Sequence, residues 1–310
     1  VPTTYDEFIE MLTRFKNEIP ECTAPYTAPG LKSTQALPEF YQGATADYVK
    51  VDGKWVDGMA QDNMLTALQN LQDAYTAGLI DQEAITNTTS ACRDEWYAGT
   101  VGCFPYWGGL WGETLTVRLK QNVPDAEVIA LPPIEGATYL YSAPSVQVIS
   151  SKLSDEQVAS VYKYFIEYMH DGGEGQVLFQ SGVEGVHWQQ SGNNIDPLPT
   201  ISKPAEAFRK AWITPWLALT PMTATDKNVE VSQEATDSLA VVSANAKNIS
   251  VFPVSEQRTM ITSDLTTTRE NIISRVAMGQ LTPEEGMAEY KAQAETLNVA
   301  QALEEMNANA

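Results

Sequence analysis

The chain has 310 residues, of which 43% are hydrophobic, enough to bury a core in two ordinary domains or one large one. Its 19 Lys and Arg residues against 40 Asp and Glu residues give a formal charge of −21, which repels phosphate backbones and anionic lipid headgroups. Nucleic acid is therefore not an expected partner. No run in the sequence approaches the roughly 20 consecutive apolar residues that span a bilayer.

Helix start signals define the first elements in chain order. Thr4 with Glu7 three residues later predicts a capped amphipathic helix. Residues 62–78 repeat the apolar helical spacing, and Gly78 is placed to end that helix.

Two further helices are predicted in the second half of the chain. Residues 154–169 begin with a capping box, formed by Ser154 and Gln157, and carry apolar side chains at helical spacing up to Met169. Gly279 ends a later helix, and Thr282 followed by Pro283 starts the next.

Short apolar runs between the helices predict strands at residues 101–104, 127–133 and 145–150. Residues 51–58 predict a turn-rich hairpin with an Asp-Gly pair at each end. Strands interleaved with helices indicate an α/β architecture, and residues 193–204 are the best candidate for a segment that crosses between lobes.

Three cysteines, Cys22, Cys92 and Cys103, are too few for a disulfide scaffold and lack the paired spacing of a zinc site. Small buried thiols are the favoured interpretation, and a Cys92–Cys103 bridge is the alternative. No cofactor and no metal site are predicted.

Catalytic motifs are missing from the sequence. It contains no HExxH, no GxSxG, no phosphate-binding glycine loop and no EF-hand loop, and its two histidines, His170 and His187, have no cysteine partner nearby in sequence. A hydrolase that uses two convergent carboxylates stays open as an alternative, although most of the 40 acidic residues are expected on the solvated surface.

Five segments spread across nearly the whole chain are informative together: VPTTYDEF, LQDAYTAGLID, EWYAGTVGCFPYWGGLW, QSGVEGVHW and RVAMGQLTPEEGMAEY. In this order they resemble the extracellular solute-binding proteins of bacterial ABC importers, the family related to maltose-binding protein. The last two resemble a lipoprotein subgroup.

The resemblance implies an α/β fold of the periplasmic-binding-protein-like type II, with two lobes joined by crossing strands and a ligand in the cleft between them. It also implies that a signal peptide, a lipid-modified cysteine and most of the first lobe precede this chain, which would then be a C-terminal fragment. On that mapping residues 1–142 and 190–310 build the second lobe, and residues 143–189 belong to the first.

Within this fold, the string CFPYWGGLW at residues 103–111 suits a carbohydrate site. Sugar rings stack their apolar C–H faces on aromatic planes, and adjacent glycines argue against a helix and favour a turn that presents flat rings. We expect Trp107 to be the stacking platform, Trp111 a second wall and Tyr106 a source of a ring edge or hydroxyl. The alternative is that one tryptophan is a core residue beneath the loop.

Other site candidates lie elsewhere in the chain. Glu184 stands near two glycines, where its carboxylate can accept hydroxyl protons, although it could equally cap a helix. Trp188 is expected to border the cleft, whereas His187 is better explained by a backbone hydrogen bond. Of Tyr139 and Tyr141, at most one is expected to face the cleft, and Tyr141 is the chosen candidate.

Two further tryptophans, Trp212 and Trp216, are surrounded by aliphatic residues and are interpreted mainly as packing.

The expected function is therefore that of an extracellular or periplasmic, lipid-anchored monomer that binds a small molecule, with a saccharide as the favoured ligand. It delivers this ligand to the membrane subunits of an ABC permease by hinge closure, without catalysis. A peptide or another small nutrient is the alternative ligand. A secreted carbohydrate-active enzyme and a surface adhesion module are the rival classes.

Overall fold

The computed structural model describes residues 1–141, 147–198 and 222–310, and these fold into two compact units. Among them, the first unit comprises residues 1–106, 117–141 and 241–310, and the second comprises 107–116, 147–198 and 222–240. The expected lobe boundary at residue 190 does not coincide with a unit boundary, because 190–198 and 222–240 group with 147–189. How the units correspond to lobes stays a prediction.

The described helices are α1 (Tyr5–Glu18), α2 (Pro38–Tyr41), α3 (Asn63–Thr76), α4 (Thr89–Ala98), α5 (Leu110–Asn122), α6 (Asp155–Val161), α7 (Glu174–Ser181), α8 (Gln233–Asn245), α9 (Glu256–Ala277), α10 (Pro283–Thr296) and α11 (Val299–Ala308). A 3₁₀ turn at Gly58–Ala60 precedes α3, and α6 continues as a π-helix at Tyr162–Glu167. The unit boundaries at 116 and 240 fall inside α5 and α8. None of the described helices is long and apolar enough to cross a membrane.

The strands are short and pair in twos: β1 (Ala24–Tyr26) with β4 (Val101–Cys103), β2 (Tyr48–Val51) with β3 (Lys54–Asp57), β5 (Leu140–Tyr141) with β8 (Lys247–Asn248), and β6 (Trp188–Ser191) with β7 (Asn194–Pro197). The β1–β4 and β5–β8 pairs are parallel, and the other two are antiparallel hairpins. Ile80 forms a parallel bridge with Tyr26 and so lies beside β1.

The capping predictions are confirmed at the atomic level. Thr4, Ser154 and Thr282 each accept a hydrogen bond from the backbone of the residue three positions later, and that residue's side chain returns to the cap. Gly78 and Gly279 adopt the left-handed conformation where α3 and α9 end. These signals succeeded because capping depends on residues that are adjacent in sequence.

The strand predictions are mixed. The hairpin around Asp52-Gly53 and the strand at 101–103 are confirmed, but residues 127–133 form no strand. The described part of the run 145–150 is also not a strand, and residues 145 and 146 lie outside the described residues. An apolar run becomes a strand only when a partner is present, which the local sequence does not reveal.

The core of the first unit lies between α1, α3 and the C-terminal helices. Phe8, Tyr26 and Phe40 meet edge to face at centroid distances of 5.1 to 5.9 Å, and all three are fully buried. Gly102 in β4 lets α1 approach closely, because a Cβ there would stand 2.5 Å from the Phe15 ring. This packing of α1 holds the β1–β4 pair in place, and the loop at 104–109 follows directly from β4.

Candidate functional site

The carboxyl ends of the parallel strands in the first unit meet at one edge. Thr27 directly follows β1, Asp81 follows the Ile80 bridge and Phe104 follows β4. Open α/β sheets bind their ligands outside the carboxyl ends of parallel strands. This edge is therefore where the geometry of the first unit favours a ligand.

Three aromatic rings line this edge. The Trp96 ring, on α4, lies 6.1 Å from the ring of Phe104, and Phe104 lies 4.9 Å from Tyr106, with tilted planes in both pairs. The Arg93 guanidinium sits 6.0 Å from the Tyr106 ring centroid and donates a hydrogen bond of 2.9 Å to its hydroxyl oxygen. The ring–ring contacts and the contacts of Arg93 with Tyr106 fix the positions of these side chains, as a preorganised stacking surface requires.

A hydrogen-bonded polar cluster lies at the same edge. The Thr27 hydroxyl oxygen is 2.9 Å from one carboxyl oxygen of Asp81 and 2.9 Å from one of Glu95. The Asn87 amide donates to both carboxyl groups, at 2.6 Å to Asp81 and 3.3 Å to Glu95. Because the threonine has one proton, both of its contacts become hydrogen bonds only when one carboxyl group is protonated.

The pKa of Glu95 lies above its ordinary value. Burial raises the pKa of Glu95, and the nearby carboxylate of Asp81 raises it further, while hydrogen bonds from Thr27 and Asn87 oppose the shift. Burial also raises the pKa of the adjacent Cys92 thiol, so that thiol is held in its neutral form.

A buried carboxyl group underlies the edge. Glu39 is 6% exposed and lies 3.0 Å from the hydroxyl of Tyr26 and 3.4 Å from that of Tyr139. Burial raises the pKa of Glu39. The pKa of Cys103 is raised by burial of its own thiol and by the nearby negative charge of Glu39. Tyr139 also donates to the Leu131 carbonyl, so this tyrosine points inward.

The two tryptophans predicted to line one site, Trp107 and Trp111, differ in location and burial. Trp107 lies on the loop before α5 with 55% of its surface exposed, as a stacking platform requires. Trp111 does not lie on the loop: it is in the first turn of α5 and is 8% exposed. The glycines do form a turn, with Gly109 in the left-handed conformation, but α5 starts directly after it at Leu110, so the alternative of one buried tryptophan applies to Trp111.

The second unit contains the GVEG segment and its neighbours. Glu184 is exposed between Gly182 and Gly185, both of which have positive φ. Trp188 is buried and donates its indole N–H to the Gly182 carbonyl oxygen at 3.0 Å, which places it in the core rather than at a surface. The His187 Nδ1 accepts from the Val183 backbone at 2.9 Å, in agreement with the backbone interpretation.

The remaining expectations concern tyrosines, tryptophans and thiols. Tyr141 is half-exposed on β5, whereas Tyr139, which precedes that strand, is turned to the Leu131 carbonyl and Glu39. Trp212 and Trp216 lie outside the described residues. Cys22, Cys92 and Cys103 are free thiols, so the alternative of a Cys92–Cys103 bridge is not realised.

Acidic and thiol side chains do not group as metal ligands: within residues 1–141, 147–198 and 222–310, no cluster of three or more could hold a metal ion.

Sequence reasoning missed the polar cluster and Trp96. Thr27, Asp81 and Glu95 come from three separate segments that only the parallel pairing brings together. The one available signal was positional, since Thr27 and Asp81 each follow a short apolar run directly.

No protein-family model and no curated protein sequence matches the chain. Solved structures do match it. The alginate-binding protein AlgQ2 aligns with 100% of this chain and 68% of its own at a TM-score of 0.69 and 17% identity. The substrate-binding protein FusA of Streptococcus pneumoniae, solved in complex with kestose, aligns with 99% of this chain and 67% of its own at a TM-score of 0.62 and 17% identity.

A third match is a solute-binding protein of Bifidobacterium longum infantis that binds human milk oligosaccharides, with a TM-score of 0.62, 15% identity and coverage of 99% of this chain and 69% of its own. These matches show that the chain has the α/β, periplasmic-binding-protein-like fold of ABC-transporter solute-binding proteins.

Proposed function

We propose that the protein is the substrate-binding component of an ABC importer and that its solute is a saccharide. The observation that carries the proposal is the set of aromatic rings at the carboxyl edge of the parallel strands, in a fold that the oligosaccharide-binding neighbours share. We propose further that the protein works outside the cytoplasmic membrane, on a lipid anchor, as a monomer, and passes its solute to permease subunits.

The chemistry of the edge suits a sugar. The rings of Trp96, Phe104 and Tyr106 offer apolar faces to the C–H side of a pyranose or furanose ring. The Asp81 and Glu95 carboxyl groups and the Asn87 amide, which hydrogen-bond one another, are groups of the kind that accept from and donate to sugar hydroxyls. Such a site needs no bond cleavage, because the ligand only has to favour the closed state over the open one.

Charge favours a neutral saccharide. The formal charge of −21 disfavours the approach of a polyanionic sugar such as alginate more than that of a neutral oligosaccharide such as kestose. The proposal therefore names neutral oligosaccharides as the substrate class, with acidic oligosaccharides as the comparison.

Isothermal titration calorimetry with kestose, a neutral milk tetrasaccharide, an alginate trisaccharide and a tripeptide tests the proposal. We expect saturable binding of a neutral oligosaccharide. Trp96→Ala, which removes one of these three rings, is expected to weaken that binding about tenfold or more, which is about 1.4 kcal/mol. Met260→Ala, an exposed substitution on α9, is the matched control and should leave the affinity unchanged.

Chromatography of the titrated sample separates the rival classes. An unchanged saccharide supports a binding protein, whereas shorter products would show a carbohydrate-active enzyme. Binding of the tripeptide alone would replace the saccharide by a peptide. Absence of heat with every oligosaccharide would contradict the proposed substrate class.

A further inference from the structure

The helix α4 connects the polar cluster to the aromatic rings at the strand edge. A carboxyl oxygen of Glu95 lies 2.9 Å from the hydroxyl oxygen of Thr27, which directly follows β1. The next residue of α4, Trp96, contacts the ring of Phe104, which directly follows β4. Whatever holds Glu95 in place therefore also holds Trp96 at the aromatic edge.

Little apolar packing holds α4 on the first unit. Of its ten residues, all of which the structure describes, Cys92 alone is buried. Short helices in proteins gain most of their stability from packing rather than from intrinsic propensity. The hydrogen bonds of Glu95 with Thr27 and Asn87 are therefore a substantial part of what attaches α4 to the strands.

The hydrogen bonds of the polar cluster indicate which carboxyl group carries a proton. Asp81 accepts from the backbone N–H of Glu83 at 2.9 Å and from the Asn87 amide at 2.6 Å, in addition to its contact with Thr27. Glu95 accepts from the same amide at the longer distance of 3.3 Å. Because donated hydrogen bonds favour the ionised form, Asp81 is the better-stabilised anion. Thr27 then donates to Asp81, and Glu95 donates its own proton to the hydroxyl oxygen of Thr27.

We propose that Glu95 is a positioning residue, which as the neutral acid donates to Thr27 and so keeps Trp96 where a sugar can stack on it. The inference rests on the proposed function and adds to it a dependence of solute binding on pH. Loss of the proton leaves one hydroxyl proton for two carboxylates and places a second negative charge beside Asp81, so Glu95 is released from Thr27. Affinity for a neutral oligosaccharide should therefore fall as pH rises through the pKa of Glu95.

The titratable groups that face Glu95 agree with this direction. Burial and the Asp81 carboxylate, which lies in the segment beside β1, both raise the pKa of Glu95. Burial also raises the pKa of the Cys92 thiol on α4, so this thiol stays neutral. The cation of α4, Arg93, donates to the hydroxyl of Tyr106. As pH rises above the ordinary glutamate range, Glu95 is therefore the group of this cluster that loses a proton.

Infrared difference spectroscopy of the 310-residue chain tests the proton without any ligand. The carbonyl stretch of a protonated carboxyl group is separate from the carboxylate bands, so subtracting the spectrum of Glu95→Gln isolates the band of Glu95. We expect this band at about pH 5.5, roughly one unit above the ordinary glutamate pKa, and its loss at higher pH. Asp94→Asn, an exposed acid-to-amide change on the same helix, is the matched control and should leave the band in place. Absence of the band at about pH 5.5 would overturn the inference, whether or not a sugar binds.

Near-ultraviolet circular dichroism follows the aromatic rings in the same samples. The part of the signal that Trp96→Phe removes reports the packed indole. We expect this part to weaken at the pH where the infrared band disappears, and to stay constant in Glu95→Gln, whose amide donates to Thr27 at every pH. The same titration in Glu95→Gln, or a constant signal while the band disappears, would contradict a positioning role.

Calorimetry with kestose over the same pH range measures the consequence for binding. We expect the affinity to fall several-fold between about pH 5 and about pH 8, and the ratio of the two affinities to approach one in Glu95→Gln. Asp94→Asn should keep the ratio of the native sequence. An equal ratio in the native sequence and Glu95→Gln would overturn the inference. Absence of kestose binding at every pH, with both spectroscopic results as expected, would instead contradict the saccharide proposal and support the role of Glu95 in holding Trp96.

Discussion

Trp107 and Trp111 show how one turn of chain separates two roles for the same residue type. The exposed indole of Trp107 is available to a ligand, whereas Trp111 is buried in the first turn of α5. The next residue, Gly112, packs closely on α8, since a Cβ there would stand 2.8 Å from the Glu234 carbonyl oxygen. We therefore expect Trp111 to contribute mainly to the stability of the fold, through its burial in α5.

Trp111→Ala is expected to lower the free energy of unfolding by about 3 to 5 kcal/mol, the range for removing a buried large aromatic side chain. Trp107→Ala should change it by less than about 0.5 kcal/mol, as for an ordinary surface substitution. Urea unfolding followed by circular dichroism measures both. Equal losses in the two variants would contradict the different burial of the two indoles.

Glu39 predicts a pH dependence of stability. Burial raises its pKa in the folded state, so the folded protein holds the proton more tightly than the unfolded chain does. The free energy of unfolding should therefore fall as pH rises from the ordinary glutamate pKa through the raised one. Each unit of elevation corresponds to about 1.4 kcal/mol.

Glu39→Gln removes the titration, so this part of the pH dependence should vanish and the variant should be the more stable form above the raised pKa. Urea unfolding between pH 4 and 8, in steps of about one unit, checks this. Glu10→Gln, an exposed change on α1, is the control and should leave the slope as it is. A slope that survives in Glu39→Gln would assign it to another group.

At the scale of elements, one buried ion-pair network joins the β2–β3 hairpin to α9 and α10. Arg269 donates to Asp57 at 2.7 Å and to the Tyr290 hydroxyl at 3.2 Å, and that hydroxyl donates to Asp57 at 2.6 Å. Asp47 adds a more exposed contact at 3.3 Å. The positive charge of Arg269 therefore balances the negative charge of the buried Asp57 carboxylate.

Arg269→Ala is expected to destabilise the protein by about 3 to 5 kcal/mol, because it leaves the Asp57 charge buried and unpaired. Arg14→Ala breaks an exposed pair with Glu18 within α1 and should cost less than about 0.5 kcal/mol. Thermal unfolding of both variants measures the difference. A similar small loss in each would show that the buried pair is replaceable by solvent.

The helix ends could be predicted from the sequence, whereas the strand pairing could not. The helices begin and end where Thr4, Ser154, Thr282 and Gly279 indicated, because capping is decided within a few residues. The pairing of β1 with β4, by contrast, joins segments far apart in sequence, and the apolar run at 127–133 found no partner. Short parallel strands lack the alternation that would have distinguished them.

At the scale of the whole molecule, the two units differ in the size of the hydrophobic clusters inside them. A cluster with Tyr26, Leu68 and Tyr290 fully buried unites α1, α3 and the C-terminal helices of the first unit. The cluster around α7 in the second unit has three buried residues. Local stability follows the number of buried apolar contacts, so the segments around α7 should open more readily than the core of the first unit.

Hydrogen exchange of the 310-residue chain should show this directly. Backbone amides of 155–181 are expected to exchange at least about tenfold faster than those of α9, α10 and α11, whose inner faces are buried. Uniform protection across both groups would indicate one cooperative unit and would contradict the weaker core.

The candidate site was predicted only in part for the same reason. Tyr106 and Trp107 belong to one short string of aromatic residues and could be chosen from it. The partners Trp96, Asp81 and Glu95 arrive from α4 and from the Ile80 bridge, and tertiary pairing brings them together. Their arrangement is a property of the fold rather than of any single segment.

The uneven burial of the tryptophans has a spectroscopic consequence. Among those that the structure describes, Trp55, Trp111 and Trp188 are buried, whereas Trp107 is 55% exposed. A collisional quencher therefore reaches Trp107 first, and acrylamide suits the purpose because the charge of −21 repels anionic iodide. A solute stacked on that indole would shield it, so occupancy becomes visible in the unlabelled protein as a change of quenching alone.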